Sequence, residues 1–369
     1  MQINLDISLS LLYSSMIILL FLLFLILLVS LYLRWRNQVR ESLKAALLEK
    51  YYPLIFGFLE DEISINEISD QFSGRGFEYS VFEKLVKDII DEVSGDDKQK
   101  LRSLLFIDKL FSYHFKQLNG NRTGGLLKAC NYFSYTRLIN YKVIIRLKEL
   151  ISHKNRLVAY MAVSALMASK SVKNKATGLK KIVSRKKISD MAILELLYEF
   201  NNTEKNEKDY EIKYLKEIIE DESVPPDNKS IIILAVEELG YYQLQTYLFK
   251  LLHNESEYWQ NSEIKGALVV ALGKFGYNEA APYIRQLVMQ TNWSLVKAGV
   301  IALSNLGGFE NLDFLLSQLS DDLQKNEFIL RSLLSSGYSQ EEIEALFVEP
   351  YLSEYSLLMD SILQKPLSI

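Results

Sequence analysis

An apolar span near the N-terminus constrains this chain more than any other part of its sequence. Residues 9–33 contain no charged side chain, and residues 16–29 are apolar without interruption. As an α-helix, a span of about 25 residues would extend roughly 37 Å, which is enough to cross the hydrocarbon core of a bilayer. The sequence therefore predicts one transmembrane helix at 9–33, preceded by a short extracytoplasmic N-terminus at 1–8.

The residues that flank the span predict its orientation. No Lys or Arg precedes it, whereas Arg34, Arg36 and Arg40 follow it closely. Since basic residues accumulate on the cytoplasmic side of a membrane, we expect the N-terminus outside and the bulk of the chain in the cytoplasm. The sole cysteine, Cys130, agrees with a reducing compartment, because it cannot form an intrachain disulfide. We predict a single-pass protein of the inner (cytoplasmic) membrane of a bacterium-like cell.

A cleaved signal peptide is the alternative interpretation of this span. Such a leader has a basic region before the apolar stretch, a shorter apolar stretch, and a cleavage site made of small residues. The chain has none of these three features. A retained anchor is therefore favoured over a leader that is removed.

A repeated helical pattern fills the C-terminal half of the chain. Residues 264–276 share the pattern Ala-Leu-x-x-Phe/Leu-Gly with residues 295–307, which begin 31 residues later. Weaker equivalents recur on either side at intervals of 30 to 39 residues. A period of this length is typical of helix pairs that stack and share their apolar faces. The predicted fold class is therefore all-α, an α-solenoid behind one N-terminal transmembrane helix.

This pattern resembles HEAT repeats, in particular the short bacterial form that is also found in phycobilin lyases. That form reads approximately Val-Arg-x-x-Ala-Ala-x-x-Ala-Leu-Gly-x-Leu-Gly, and Ile-Lys at 264–265 and Ala-Leu-Gly at 271–273 match it. The resemblance extends over about residues 157–337. It implies an armadillo-like α-solenoid that is used for binding, a shape that does not by itself specify a reaction.

The rest of the chain divides around these repeats. Residues 34–120 lose the repeat register but keep amphipathic helical patterns, so we expect a juxtamembrane helix and an N-terminal helical cap. Pro53 is expected to kink or end the juxtamembrane helix. Residues 121–348 form the predicted HEAT-like solenoid, and residues 349–369 a C-terminal cap or tail.

Charge is segregated along the chain. Residues 121–190 contain sixteen Lys and Arg and two acidic residues, whereas residues 191–369 contain thirteen bases and 28 acids. The second helices of HEAT solenoids usually line the concave side, so the resemblance predicts a basic band across neighbouring units as a partner-binding surface. The predicted band comprises Arg146, Lys148, Lys180, Lys181, Arg185, Lys186 and Lys187.

Several interpretations of this band stay open. Beside a membrane anchor, its charge would attract an acidic protein, anionic lipid or nucleic acid. Nucleic acid is the less favoured of these, because an anchor does not suit a protein that scans a genome. Lys-rich helix faces are also often simply solvated. Pairing of the acidic half with the basic half of another copy would give head-to-tail self-association.

The sequence offers no recognisable catalytic or metal site. Its three histidines, His114, His153 and His253, are far apart, and no zinc, nucleophile-elbow, phosphate-loop or calcium-loop motif is present. We therefore predict a protein that is not an enzyme and has no cofactor or metal. A HEAT-type enzyme, either a lyase or a DNA-glycosylase-like protein, is the less favoured alternative, because only the repeat links the chain to such proteins.

These features predict a membrane-tethered, non-catalytic scaffold or adaptor. Its cytoplasmic solenoid would bind and position a protein partner at the membrane. The resemblance to membrane-anchored HEAT proteins suggests an envelope or polysaccharide-synthesis enzyme, such as a glycosyltransferase, as that partner. The alternative is a binder of nucleic acid or anionic lipid that uses the basic surface.

Overall fold

The computed structural model describes residues 2–186, 188–201, 208–346 and 351–364. In these ranges the chain forms α-helices and two short 3-10 segments, with no β-strand. The prediction of an all-α protein is confirmed. Lys187 of the predicted basic band lies outside the described residues, as do residues 349–350 and 365–369 of the predicted C-terminal cap or tail.

The chain divides into two compact units, Met1–Gln117 and Leu118–Ile369. The first unit, called unit 1 below, begins with a helix of 58 residues. The helices that begin in unit 1 are α1 (Gln2–Leu59), α2 (Ile65–Asp70), α3 (Gly76–Glu92), α4 (Asp96–Leu104) and α5 (Asp108–Leu118).

The apolar part of α1 is exposed at Tyr13 and throughout residues 15–33, the side chains of this span that the structure describes. Ile17, Phe21 and Ile26 are each more than half exposed, and the most apolar stretch of Ser15–Leu59 has no buried residue. A continuous apolar surface of this size is unfavourable in water. By length and composition α1 is able to cross a membrane, and a helix of this kind is either a membrane span or a signal sequence.

Helix α1 continues beyond Pro53 to Leu59. Tyr51 and Ile55, on either side of the proline, are fully buried in unit 1. The ring of Tyr51 lies 5.0 Å from that of Phe82 in α3. Of the two effects expected of Pro53, an end of the helix does not occur, because buried contacts hold the helix on both sides of the residue that lacks an N–H.

A buried carboxylate ties α1 to α3. Tyr51 Oη and Ser73 N each donate a hydrogen bond of 2.8 Å to Glu78, and Lys50 Nζ lies 3.2 Å from it. Burial opposes ionisation of Glu78, but the hydrogen bonds from Ser73, Tyr51 and Lys50 outweigh it. They hold the pKa of Glu78 below its usual value, so this carboxylate is charged at neutral pH.

The second unit, Leu118–Ile369, is called unit 2 below, and it consists of shorter helices. They are α6 (Thr123–Thr136), α7 (Tyr141–Leu150), α8 (Arg156–Met167), α9 (Val172–Val183), α10 (Asp190–Asn201), α11 (Lys208–Glu220), α12 (Pro226–Glu238), α13 (Gln245–Leu252), α14 (Ser262–Lys274), α15 (Ala281–Val288), α16 (Trp293–Leu306), α17 (Phe309–Leu316), α18 (Leu323–Ser335), α19 (Gln340–Glu344) and α20 (Tyr351–Leu363).

Every second helix of unit 2 contacts the next in chain order. Helix α6 contacts α8, α8 contacts α10, and the series continues through α12, α14, α16 and α18 to α20. The helices between them pack on this series, with α7 and α9 on α8, α13 on α14, and α15 on α16. Asn155, Asn261 and Asn292 begin α8, α14 and α16, because each side chain accepts a hydrogen bond from the N–H groups of the first turn.

Two glycines of segment 264–276 are explained by the local structure. A Cβ atom at Gly273 of α14 would overlap the backbone of Ala302 in α16, so only glycine permits this close approach. Gly276 has a φ of +70°, and Tyr277 N donates to Leu272 O at 3.0 Å. This hydrogen bond and the left-handed glycine end α14 and reverse the chain.

Candidate functional site

A groove of about 1350 Å³ lies between α8 and α10 in unit 2. Its walls come from the first two turns of α8, from one face of α10, and from Glu238 at the end of α12. This volume exceeds the roughly 300–1,000 Å³ of a typical small-molecule pocket. The groove therefore has the size to take a segment of a macromolecule.

Large apolar side chains line the groove and are exposed to solvent. Leu157 of α8 is 54% exposed, and Met191 and Tyr198 of α10 are 74% and 55% exposed. Exposed apolar residues that lie together mark binding surfaces more often than isolated ones do. This groove is the candidate functional site.

The sequence of α10 explains why apolar residues reach the groove. Ile193, Leu197 and Phe200 occupy one face of the helix and are buried in the core. Met191 and Tyr198 lie seven residues apart, about two helical turns, on a different face. Because α10 is apolar on two faces, it packs into unit 2 and still presents apolar side chains to the groove.

Acidic side chains surround these apolar residues. Glu195, Glu199 and Glu238 line the groove, and Arg156 is the one basic residue among the described residues that line it. Among the described residues that line the groove, carboxylates therefore outnumber the one guanidinium by three to one, a balance that favours cationic groups.

Tyr160 connects the two helices of the groove. Its hydroxyl, on α8, donates a hydrogen bond to the carboxylate of Glu195 on α10. Burial, and then this hydrogen bond, raises the pKa of Tyr160 above its usual value. The hydroxyl therefore stays protonated at neutral pH and holds Glu195 in place.

Members of the predicted basic band make contacts inside unit 2. Arg146 Nε donates to Leu118 O at 3.1 Å, and Lys148 Nζ donates to Asn174 Oδ1 at 2.7 Å. Lys180 Nζ lies 2.9 Å from Asp221 Oδ2. These contacts account for three of the six band residues that the structure describes.

Arg185 of the band closes the carboxyl end of α7. Its guanidinium donates to Ile151 O at 2.7 Å and to His153 O at 3.1 Å. The last carbonyl groups of a helix lack partners within it and carry partial negative charge, so a cation stabilises them. Arg185 therefore has a structural role in joining one helix pair to the next.

Lys181 and Lys186 are exposed, so these two members of the band are the best placed to contact a partner. Four of the six described members of the band, Arg146, Lys148, Lys180 and Arg185, also make contacts within unit 2. Binding of a partner by this band stays a prediction.

The three histidines lie in separate surroundings. His114 is buried, with Nε2 3.0 Å from Glu83 Oε2. His153 Nδ1 accepts a hydrogen bond from Asn155 N, and His253 lies against the ring of Tyr283. Among the described residues, no group of three His, Cys, Asp or Glu is placed to hold a metal ion.

Cys130 is fully buried in α6. Burial raises the pKa of its thiol to about 12. Because the thiolate is the reactive form of cysteine, this thiol is unreactive at neutral pH. It serves as a small apolar residue of the core.

The sequence interpretation missed the groove between α8 and α10. A signal was present, since Met191 and Tyr198 lie outside the apolar stripe that Ile193 and Leu197 define. That signal identifies apolar residues of α10 that are not buried in the core of unit 2. It does not tell which second helix completes a groove with them, because this depends on packing between α8 and α10.

Comparisons with known proteins give no relative whose function bears on this chain. No protein-family model matches it, and no curated protein matches it. The resemblance to HEAT repeats therefore rests on the repeat residues alone, and the interpretation of the groove rests on its geometry.

Proposed function

We propose that this protein is a membrane-tethered, non-catalytic adaptor whose cytoplasmic helical repeats bind and position a protein partner. The observation that carries the proposal is the exposed apolar part of α1, which continues without a loop into a segment packed in the core of unit 1. Such a continuous helix would keep the folded unit close to the membrane surface.

The orientation in this proposal has the N-terminus outside, with unit 2 and the part of unit 1 that follows the apolar segment in the cytoplasm. Arg34, Arg36 and Arg40 are exposed immediately after the apolar segment, which supports this orientation. A retained span is favoured over a cleaved leader, because α1 remains helical through the junction and its far end packs against α3.

We also infer that unit 2 is a HEAT-like α-solenoid. The contacts of α6 with α8, and of each following even-numbered helix with the next, support this inference, because neighbouring repeats of a solenoid pack in chain order. The close approach of Gly273 to Ala302 supports it further, since these residues lie in the two repeated segments, 264–276 and 295–307.

The partner in this proposal is a protein at the same membrane. An envelope or polysaccharide-synthesis enzyme is the class that the resemblance suggests. Anchoring two proteins in one membrane raises their effective concentration for each other without any new contact. The groove between α8 and α10 is the surface that the geometry favours for this contact, because its apolar residues are exposed.

A photo-reactive amino acid at Met191 of the full chain, in cells, tests the proposal. We expect one discrete cross-linked protein from this position and none from Leu323, an exposed apolar residue of α18. Substitutions Leu22→Arg and Leu25→Arg, which make the span too polar to insert, should abolish the cross-link at equal expression. The same cross-link from a chain that has left the membrane would contradict tethering, and equal cross-links from Met191 and Leu323 would contradict the role of the groove.

A further inference from the structure

We propose that the groove between α8 and α10 accepts an α-helix of the partner protein, one whose apolar stripe is flanked by Lys or Arg residues. This inference rests on the proposed function and adds the chemistry of the segment that binds. It follows from the shape of the groove, from the spacing of its apolar residues and from its charge.

The apolar residues have the spacing that a docked helix requires. Met191 and Tyr198 are separated by about two turns of α10, and Leu157 faces the same groove from α8. A helix that lies along such a groove inserts side chains from successive turns, at positions i, i+3 or i+4, and i+7. Met191 suits this use, because its flexible thioether side chain adapts to the side chains that it contacts.

The acidic residues specify the flanks of the bound helix. Glu195 and Glu199 are four residues apart on α10 and line the groove together, with Glu238 contributed by α12. Lys or Arg residues beside the apolar stripe of a docked helix would meet these carboxylates. Acidic flanks would be repelled, and so would an anionic lipid headgroup, because the described lining contains a single opposing base, Arg156.

Tyr160 adds a fixed polar contact to the groove. Its hydroxyl is already hydrogen-bonded to Glu195, so this carboxylate is held before a partner arrives. Because a group that is already ordered loses less entropy on binding, this contact favours the docking of a cationic helix.

The test uses two synthetic peptides and the full chain in phosphatidylcholine nanodiscs. Both peptides carry the same apolar stripe, but one has Lys flanks and the other has Glu flanks. Fluorescence anisotropy measures the affinity, and empty nanodiscs give the blank. We expect the Lys peptide to bind the wild-type chain at least about tenfold more tightly than the Glu peptide, the size of effect that close charge pairs produce.

Two sets of variants assign this binding to the groove. Glu199→Lys with Glu238→Lys should reverse the preference between the peptides and leaves the contact of Tyr160 with Glu195 intact. The matched control, Glu255→Lys with Glu257→Lys, makes the same charge change at exposed residues that are not part of the groove lining, and should keep the preference. Met191→Gln should weaken the binding of both peptides about tenfold or more, because it replaces an apolar contact with a polar one and leaves the charge of the groove unchanged. Circular dichroism verifies that each variant stays helical.

Three results would overturn the inference. The two peptides could bind the wild-type chain equally, or the groove variants and the control variants could change binding alike. Mass photometry could also find a dimer that Met191→Gln dissociates, in which case a second copy occupies the groove. These results are distinct from failure of the proposed function, because peptide binding in nanodiscs does not depend on where the protein is located in the cell.

Discussion

Two basic residues of unit 2 show how cations close helix ends in this protein. Lys229 is fully buried, and its ammonium group donates to the main-chain oxygens of Ile219 and, at 2.8 Å, of Asp221, where α11 ends. Arg185 does the same for α7 through Ile151 O. In both cases the cation pairs with carbonyl groups that the helix itself leaves without partners.

The roles of Lys229 and Arg185 at helix ends could not be predicted from the sequence. It identifies residues 121–190 as rich in Lys and Arg, and this composition led to the predicted binding band. Arg185 and Ile151 are 34 residues apart, and their contact depends on how two helix pairs dock. Whether a lysine or arginine is free or structural is therefore a property of packing, which composition does not contain.

At Asp221, contacts of this kind make the free energy of unfolding depend on pH. Burial opposes its ionisation, but hydrogen bonds from Ser223 and Lys180 outweigh this and lower the pKa of Asp221 to about 2 from 3.8. A carboxyl group with a lowered pKa in the folded state stabilises that state above its unfolded pKa. This stabilisation is lost as the pH falls from about 4 towards about 2.

Asp221→Asn should therefore lower the free energy of unfolding by about 1–2 kcal/mol at neutral pH. The difference from the wild-type chain should shrink below about pH 4, because the wild-type carboxyl group then takes up a proton. Urea unfolding of both full-length chains in detergent, at a series of pH values, measures the difference in their free energies of unfolding. Asp313→Asn, at an exposed residue of α17, is the control and should have little effect at any pH. A difference for Asp221→Asn that does not change with pH would contradict this explanation.

Among the elements, α14 and α16 are the pair that the sequence predicts best. Their repeated pattern, 31 residues apart, indicates packed helices, and the structure brings Gly273 against Ala302. Helix α1 was predicted less well, because it continues through Pro53 where buried neighbours support it. Local patterns thus predict where helices form, and tertiary contacts decide where some of them end.

Gly273→Ala tests the close approach of α14 and α16. The added methyl group would overlap the backbone of Ala302, so we expect a loss of about 1–3 kcal/mol in the free energy of unfolding. Gly124→Ala is the matched control, because this glycine lies inside α6 with open space around it. There alanine should stabilise the chain by up to about 1 kcal/mol through its higher helix propensity. Thermal unfolding that gives the same sign for both substitutions would contradict the packing role of Gly273.

At the scale of the whole molecule, the apolar span belongs to unit 1 and the groove belongs to unit 2. The sequence predicted the apolar helix and the all-α class. It did not predict the groove, because Leu157 and Met191 come together only when α8 packs on α10. The exposed apolar part of α1 and the acidic groove of unit 2 lead to one proposal, a tethered adaptor that binds a cationic helix.

The side of the membrane on which the C-terminus lies is the most direct test of this account. A reporter that is fluorescent only in the cytoplasm and a reporter that is active only outside it can each be fused after Ile369. Alkaline extraction of the same cells determines whether the chain is held in the membrane. We expect that the chain resists extraction and that only the cytoplasmic reporter is active. A chain that alkali releases, or activity from the external reporter, would contradict it.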